Sequence, residues 1–308
     1  VKAIVYDRFG APDVLELREV PEPTRAPGHA RVAVRAAALN PKDVLLRKGK
    51  LRWLARTPLP RTPGFDVAGV LLEDAGGLPA GAEVYGMINA HSGGGYAEVV
   101  SLPADEIARK PEGLTMAQAA SLPLVGQTAL QALRDDLELR AGQHVLINGA
   151  SGGLGTVAVQ IARAMGARVT AVCSGRNAEL VTRLGAHDVI DYQTQDPKAL
   201  RDLDAIFDCF GTMPWSVSKG CLTPKGRFCT AIPRAGAAAR GALRRLGLHR
   251  AALVVVRSRR ADLDELTRLV DAGELEPVLE ATLPLDQAAE GHRMIETRRT
   301  RGKIVLAL

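Results

Sequence analysis

The chain has 308 residues and a mass of 32.7 kDa, with 46% hydrophobic and 24% charged residues, which excludes an intrinsically disordered protein and leaves room for two domains. Its net charge is +6 and its pI near 9.3, but aromatic residues make up only 4% and no nucleic-acid motif accompanies the arginines, so no nucleic-acid partner is expected. No stretch is apolar over a membrane-spanning length and the first residues read as a strand, not a leader, so the expected location is the cytoplasm.

The first part, to about Leu122, is rich in strands and turns. Lys2–Tyr6, Val14–Glu19 and His29–Ala38 alternate or run apolar between Pro and Gly clusters. Val67–Leu72, Glu83–Ile88 and Tyr96–Ser101 continue the same style. From Val125 to about Arg260, strands alternate with helices: Val145–Ile147, a helix from Thr156, Arg168–Cys173, a helix from Ala178, Val189–Ile190, Ala205–Cys209, Arg227–Ile232 and Leu253–Val256. That alternation predicts a parallel sheet covered on both faces. A helix over Asp262–Ala272, a strand near Pro277–Leu283, a helix around Leu285–Thr297 and a strand over Gly302–Leu308 complete the pattern. The terminal segment is expected to complete the sheet begun by the first part, with the active cleft between the two domains.

Within the alternating region, Val145-Leu-Ile-Asn-Gly-Ala-Ser-Gly-Gly-Leu-Gly-Thr156 joins a buried-strand pattern to a glycine-dense turn and then to a helix. A dinucleotide pyrophosphate needs that order, because residues without side chains let backbone N–H groups and a helix N-terminus approach the phosphates. Ala150, Ser151, Gly152, Gly153 and Leu154 are the expected phosphate contacts, with Ala150 standing where the first glycine of the motif usually falls. The residue ending the next strand selects the nucleotide. Ser174-Gly-Arg-Asn177 carries no carboxylate before Glu179, and a hydroxyl with a guanidinium suits a 2′-phosphate, so Ser174 and Arg176 favour NADPH. Arg176 is otherwise a surface arginine at a helix start. Tyr192, after the third strand, is placed to close the same pocket.

Cysteines 173, 209, 221 and 229 show no zinc or disulfide spacing, and none of the six histidines joins a metal or acid–base constellation. His91 is the one expected near the cleft. The segment 237–250 mixes leucines with arginines and reads as a cleft-edge element or a solvated helix; its glycines weaken an amphipathic helix, so membrane docking is not expected.

Several motifs together resemble the zinc-free quinone oxidoreductase branch of the medium-chain dehydrogenase/reductase superfamily. They are Asn40-Pro-Lys-Asp43 with Arg47-Lys-Gly49, Thr62-Pro-Gly-Phe-Asp-Val-Ala-Gly69, His91-Ser-Gly-Gly-Gly-Tyr-Ala-Glu98, Pro123-Leu-Val-Gly-Gln-Thr128, Leu184-Gly-Ala-His-Asp-Val-Ile-Asp-Tyr192 and Gly302-Lys-Ile-Val-Leu306. Arg47–Pro60 and Cys173–Asn177 look most like the plastid-envelope quinone-oxidoreductase homologues. The resemblance implies an α/β chain with a GroES-like β-rich catalytic domain (1–122 and 262–308) and a Rossmann doubly wound parallel-sheet domain (123–261). It also implies a homodimer, and cofactor contacts from Asn40, Thr128, Phe210 and Lys303.

Two departures bear on chemistry. No cysteine precedes Cys173, and Phe65-Asp66 stands where zinc alcohol dehydrogenases carry a histidine and an acid, so no metal is expected. Lys50-Leu-Arg-Trp53 stands where many quinone reductases carry a tyrosine, which leaves the proton donor unassigned. The expected reaction passes hydride from NADPH to an α,β-unsaturated carbonyl or a quinone. Asn40 would orient the nicotinamide or the carbonyl, unless it is simply an Asn-Pro turn. Thr128 would donate to the nicotinamide amide, unless it only packs its helix. Tyr96 is a candidate proton donor or a packed barrel tyrosine, and Asp43 a loop anchor. The alternative is an NADPH-binding sensor or structural protein that keeps the fold without turnover.

Overall fold

The computed structural model describes residues 1–50, 58–88, 93–233 and 250–308. His91, Trp53 and most of the Arg/Leu segment 237–250 lie outside the described residues. Backbone contacts gather the chain into two units. One is Val1–Gln127, Arg257–Gly273 and Pro277–Leu308; the other is Thr128–Val256 with Glu274–Glu276.

In the first unit β1 (Lys2–Val5) and β2 (Glu16–Glu19) form an antiparallel pair. The main sheet is built around β3 (His29–Ala38), whose sequence alternates so that Ala30, Val32 and Val34 are buried between less buried neighbours. β3 pairs antiparallel with β4 (Asp66–Leu71) and β6 (Val99–Pro103). β4 continues to β5 (Glu83–Met87) and then β7 (Ile107–Arg109), again antiparallel. Val32, Val34, Val67, Leu71, Val84, Tyr96, Leu102 and Ile107 form one apolar core between these strands. A short helix, Pro41–Arg47, follows β3 directly. Pro41 is tolerated at its start because the first-turn N–H groups lack helical partners anyway.

The second unit is a parallel sheet. Its strands are β8 (His144–Asn148), β9 (Arg168–Cys173), β10 (Asp188–Asp191), β11 (Leu203–Asp208), β12 (Leu222–Thr230) and β13 (Ala251–Leu253), in the order β10-β9-β8-β11-β12-β13. Every neighbouring pair is parallel. β8 is central, and its Val145-Leu-Ile147 run is completely buried, as both faces of such a sheet require. The chain leaves β8 to build one side of the sheet and returns at β11 to build the other. Ligands of doubly wound sheets bind beyond the carboxyl ends of the strands at such a reversal. One strand is displaced from expectation: the apolar run Leu253–Val256 is not the edge strand. Pairing with β12 engages Ala251–Leu253 instead, and Val255 is left 65% exposed.

The last strands return to the first unit. β14 (Leu279–Pro284) lies parallel to β15 (Lys303–Ala307), and β15 pairs antiparallel with β3, so the end of the sequence extends the sheet that its beginning started. Among the described residues no helix is long and apolar enough to cross a membrane.

Candidate nucleotide cradle and buried charge cluster

In the second unit the glycine turn follows β8 and leads into the helix Gly153–Ala164. Gly152 caps that helix and offers no side-chain acceptor, which leaves the first-turn N–H groups for a ligand. Gly155 is required by closeness: a Cβ there would stand 2.2 Å from the Gly149 carbonyl oxygen and 2.6 Å from Ala150 Cα. The helix therefore lies directly against the turn. Ala150 is fully buried and serves the turn's packing, while Ser151, Gly152, Gly153 and Leu154 are partly accessible.

The turns after β8 and β9 are tied together. Asn177 Nδ2 donates to Ser151 Oγ at 2.9 Å and to Ser174 Oγ at 3.3 Å. Arg176 is exposed beside them. The Tyr192 N–H donates to the Cys173 carbonyl at 3.2 Å, which brings the end of β10 to the same place, and the Tyr192 side chain is exposed. Phe210, also exposed, follows β11 and stands close to Gly149, where an added Cβ would come within 2.8 Å of Phe210 Cβ. Asp208 Oδ1 anchors that end by accepting from Asn148 Nδ2 and the Gly211 N–H, both at 2.7 Å. One carboxylate also lies close: Asp191 Oδ2 is within 2.5 Å of where a Gly175 Cβ would stand. Its Oδ1 accepts the Gln193 N–H at 3.0 Å, which gives it a turn-anchoring part. Thr128, the first residue of this unit, is buried in the helix Pro123–Gln131.

The first unit holds a second constellation, buried and charged. Asp66 is fully buried at the start of β4. Its carboxylate accepts from Asn40 Nδ2 at 2.9 Å, the Leu124 N–H at 2.6 Å and Lys303 Nζ at 3.3 Å. Lys303 Nζ also donates to Asn40 Oδ1 at 2.6 Å. The Asn40 amide is thus engaged within the protein, with Nδ2 donating to the Ala38 carbonyl as well. Beside it, Asp43 accepts from the Asn40 N–H at 2.9 Å, the Gly64 N–H at 3.0 Å and the Tyr96 hydroxyl at 3.2 Å. Burial raises both carboxylates above their usual range, Asp43 to about 6 in spite of the Gly64 and Asn40 N–H bonds. Tyr96 is completely buried, and burial together with the Asp43 charge lifts its hydroxyl well above the ordinary tyrosine value. Its ring lies against Gly64, whose φ of +99° suits glycine, and a Cβ there would come within 2.4 Å of Tyr96 Cδ1.

The expected residues therefore fall into two groups. Ala150, Ser151, Gly152, Gly153, Leu154, Ser174, Arg176, Tyr192 and Phe210 gather at the carboxyl ends of β8 to β11. Asn40, Tyr96 and Lys303 gather with Asp43 and Asp66. Sequence reasoning missed three members. Asn177 stood inside the quoted Ser174–Asn177 turn. Asp66 was noted only for the zinc ligand it does not replace. Lys42, inside the Asn40–Asp43 motif, was not weighed: its Nζ stands 4.0 Å from the centroid of the buried Phe65 ring. Among the described residues no group of three His, Cys, Asp or Glu could hold a metal ion.

Comparisons with known proteins agree with this architecture. A family described as alcohol dehydrogenase GroES-like domain matches residues 26–112, and one described as zinc-binding dehydrogenase matches residues 184–306. The chloroplast envelope quinone oxidoreductase homolog of Arabidopsis thaliana is 31% identical, over 99% of this chain and 97% of that protein. The NADPH-dependent alkenal/one oxidoreductase of the same plant is 32% identical, over 99% of this chain and 79% of that protein. The solved quinone oxidoreductase of Coxiella burnetii matches with a TM-score of 0.91 at 32% identity, covering 100% of this chain and 99% of that one. A GroES-like unit, a doubly wound nucleotide-type unit and relatives above 30% identity along nearly the whole length place this chain in the medium-chain dehydrogenase/reductase family, with the quinone oxidoreductase homologues.

Proposed function

We propose that the protein is an NADPH-dependent, metal-independent reductase of α,β-unsaturated carbonyls and quinones. The observation that carries the reading is the cradle at the carboxyl ends of β8 and β9. It combines a helix start with no side-chain cap, a turn and helix packed so closely that Gly155 has no room for a Cβ, and Ser174 held in place by Asn177, with the exposed Arg176 two residues further along the chain. When bound, the nicotinamide would supply hydride to an electron-poor carbon of the substrate. The first-turn N–H groups of Gly153 and Leu154 hold the pyrophosphate, Ser174 and Arg176 hold the 2′-phosphate, and Tyr192 and Phe210 flank the adenosine. Thr128 donates to the nicotinamide amide. The donor chemistry supports metal independence, because no cysteine precedes Cys173 and Phe65 offers no ligand atom. The Asn40 amide, bound to Asp66 and Lys303, fixes the start of the helix Pro41–Arg47. The names of the relatives, a quinone oxidoreductase homolog and an NADPH-dependent alkenal/one oxidoreductase, support the substrate class.

NADPH oxidation measured against short and long enones and quinones, beside NADH, tests the reading. Arg176→Ala should weaken NADPH at least about tenfold, the worth of one charge-assisted hydrogen bond, and leave NADH within about twofold. Tight NADPH binding without turnover of any of these substrates would favour a nucleotide sensor on the same fold. The reading includes a homodimer paired through β13, which among the described residues pairs with β12 alone. Light scattering that returns a monomer mass would remove that part.

A further inference from the structure

Asparagine is among the best helix-capping residues, and Asn177 stands directly before the helix Ala178–Arg183 without capping it. Its backbone N–H closes a turn on the Ser174 carbonyl at 2.8 Å, while its side-chain amide is turned elsewhere. The two hydrogens of Nδ2 go to Ser151 Oγ at 2.9 Å and Ser174 Oγ at 3.3 Å. These serines belong to different turns, one after β8 and one after β9. Asn177 and Ser174 are only 8% and 9% exposed, so water competes little for these bonds. A hydroxyl has one hydrogen to give and lone pairs to accept with. With a lone pair of each oxygen taken by Asn177, each O–H points away from the amide. Among the described residues neither serine finds an acceptor for that hydrogen. The Asp191 carboxylate beside Gly175 takes the Gln193 N–H and accepts from neither. One amide thus leaves two O–H donors uncommitted at the carboxyl ends of neighbouring strands.

We propose that Asn177 is the positioning residue of the nucleotide site, setting Ser151 and Ser174 as donors to two separate phosphate groups of one dinucleotide. The inference rests on the NADPH reading above and concerns the same cradle. The Ser151 hydroxyl, inside the glycine turn, donates to the pyrophosphate, and the Ser174 hydroxyl donates to the 2′-phosphate. Phosphate oxygens only accept, and hydrogen bonds to them are charge-assisted. The 2′-hydroxyl of NADH is neutral and brings a hydrogen of its own, so a serine already holding an N–H on its oxygen suits it less well. The amide also joins the two turns, so that a ligand filling one subsite finds the other already set. Selectivity for the phosphorylated nucleotide then depends on a side chain that touches neither phosphate.

Titration calorimetry with NADPH, NADH and adenosine 2′,5′-bisphosphate tests this, and thermal unfolding checks that each variant folds. Asn177→Ala should weaken NADPH about tenfold and NADH about threefold, because NADH loses only the Ser151 bond. Ser151→Ala should weaken both dinucleotides alike, and Ser174→Ala should weaken NADPH alone. In the Ser151→Ala/Ser174→Ala background, Asn177→Ala should change NADPH affinity less than about twofold, since the groups it orients are gone. An NADPH Kd for Asn177→Ala within twofold of wild type overturns the positioning role. So do equal losses for the two dinucleotides, which would make Asn177 a brace for the turns only, or a tenfold loss that persists without the serines. If Asn177→Ala does not fold, the serine variants decide, and unchanged NADPH affinity in either overturns the proposal. Wild type that binds neither NADPH nor adenosine 2′,5′-bisphosphate overturns the nucleotide reading itself, which separates that failure from a failure of Asn177.

Discussion

Lys303→Met should unfold the first unit early. The variant keeps much of the buried stem and removes the ammonium that stands 3.3 Å from Asp66 Oδ2 and 2.6 Å from Asn40 Oδ1. Asp66 is completely buried, so no water replaces the lost cation. Breaking a buried ion pair from one side costs about 3–5 kcal/mol, because a charge is left uncompensated at low dielectric. At about 2–4 °C per kcal/mol for a unit of this size, the first-unit transition should fall by roughly 10–15 °C in calorimetry. The deficit should be smaller at pH 5 than at pH 8. Burial already raises the Asp66 carboxyl, and removing Lys303, which lowers it, pushes it further, so acid neutralises the stranded group. Asp66→Leu/Lys303→Met should regain about half the loss. It removes the charge but leaves the Asn40 amide and the Leu124 N–H without their acceptor, at about 1–3 kcal/mol each. A transition within 3 °C of wild type for Lys303→Met, or a double variant no better than the single one, would refute this account of the cluster.

Gly155→Ala should reduce NADPH affinity and lower the second-unit transition. The new Cβ meets backbone at 2.2 Å, and the usual overpacking cost of about 1–3 kcal/mol outweighs the helix gain of about 1 kcal/mol; unchanged binding by titration calorimetry would count against the cradle. Gly64→Ala should destabilise the first unit by about 2 kcal/mol or more, since it combines a φ of +99° with a collision on the buried Tyr96 ring; circular dichroism melting checks it. Asp43 makes folding pH-dependent. Its folded value of about 6 lies above the usual 3.8, so its contribution is full below about pH 4 and is lost as pH rises through about 6. The wild-type advantage over Asp43→Asn should therefore shrink by roughly 2 kcal/mol between pH 4 and pH 7 in denaturant titrations, and an advantage that grows would reverse the sign. Prolonged dialysis against a chelator should leave enone reduction unchanged, and loss restored by zinc would defeat metal independence.

The nucleotide side of the molecule was legible because its constraints are local. A buried strand, a turn made of glycines and a helix start lie within about a dozen consecutive residues, and their spacing alone dictates the cradle. The Asp66–Lys303 pair was not legible from pattern, because its members are 237 residues apart and each sits in an apolar stretch that reads as plain strand. The Leu253–Val256 run shows the opposite failure. Apolar character suggested a strand, but pairing with Phe228–Thr230 begins at Ala251, and hydrogen bonding to β12 set the register. Lys42 escaped notice because sequence shows the type of a side chain and not whether anything answers its charge.

The placement of β15 beside β3 has a consequence for how the polypeptide matures on the ribosome. All six strands of the nucleotide-type sheet have been synthesised once Leu253 emerges, whereas the GroES-like sheet lacks its closing strand until residues 303–307 appear. Until then Asp66 lacks the Lys303 ammonium that pairs with it, and β3 lacks the strand that latches onto it last. Nascent chains stalled with residue 290 outside the exit tunnel should yield a protease-resistant 128–256 fragment and a digestible N-terminal segment. Equal resistance of both would show that the early strands close without their latch.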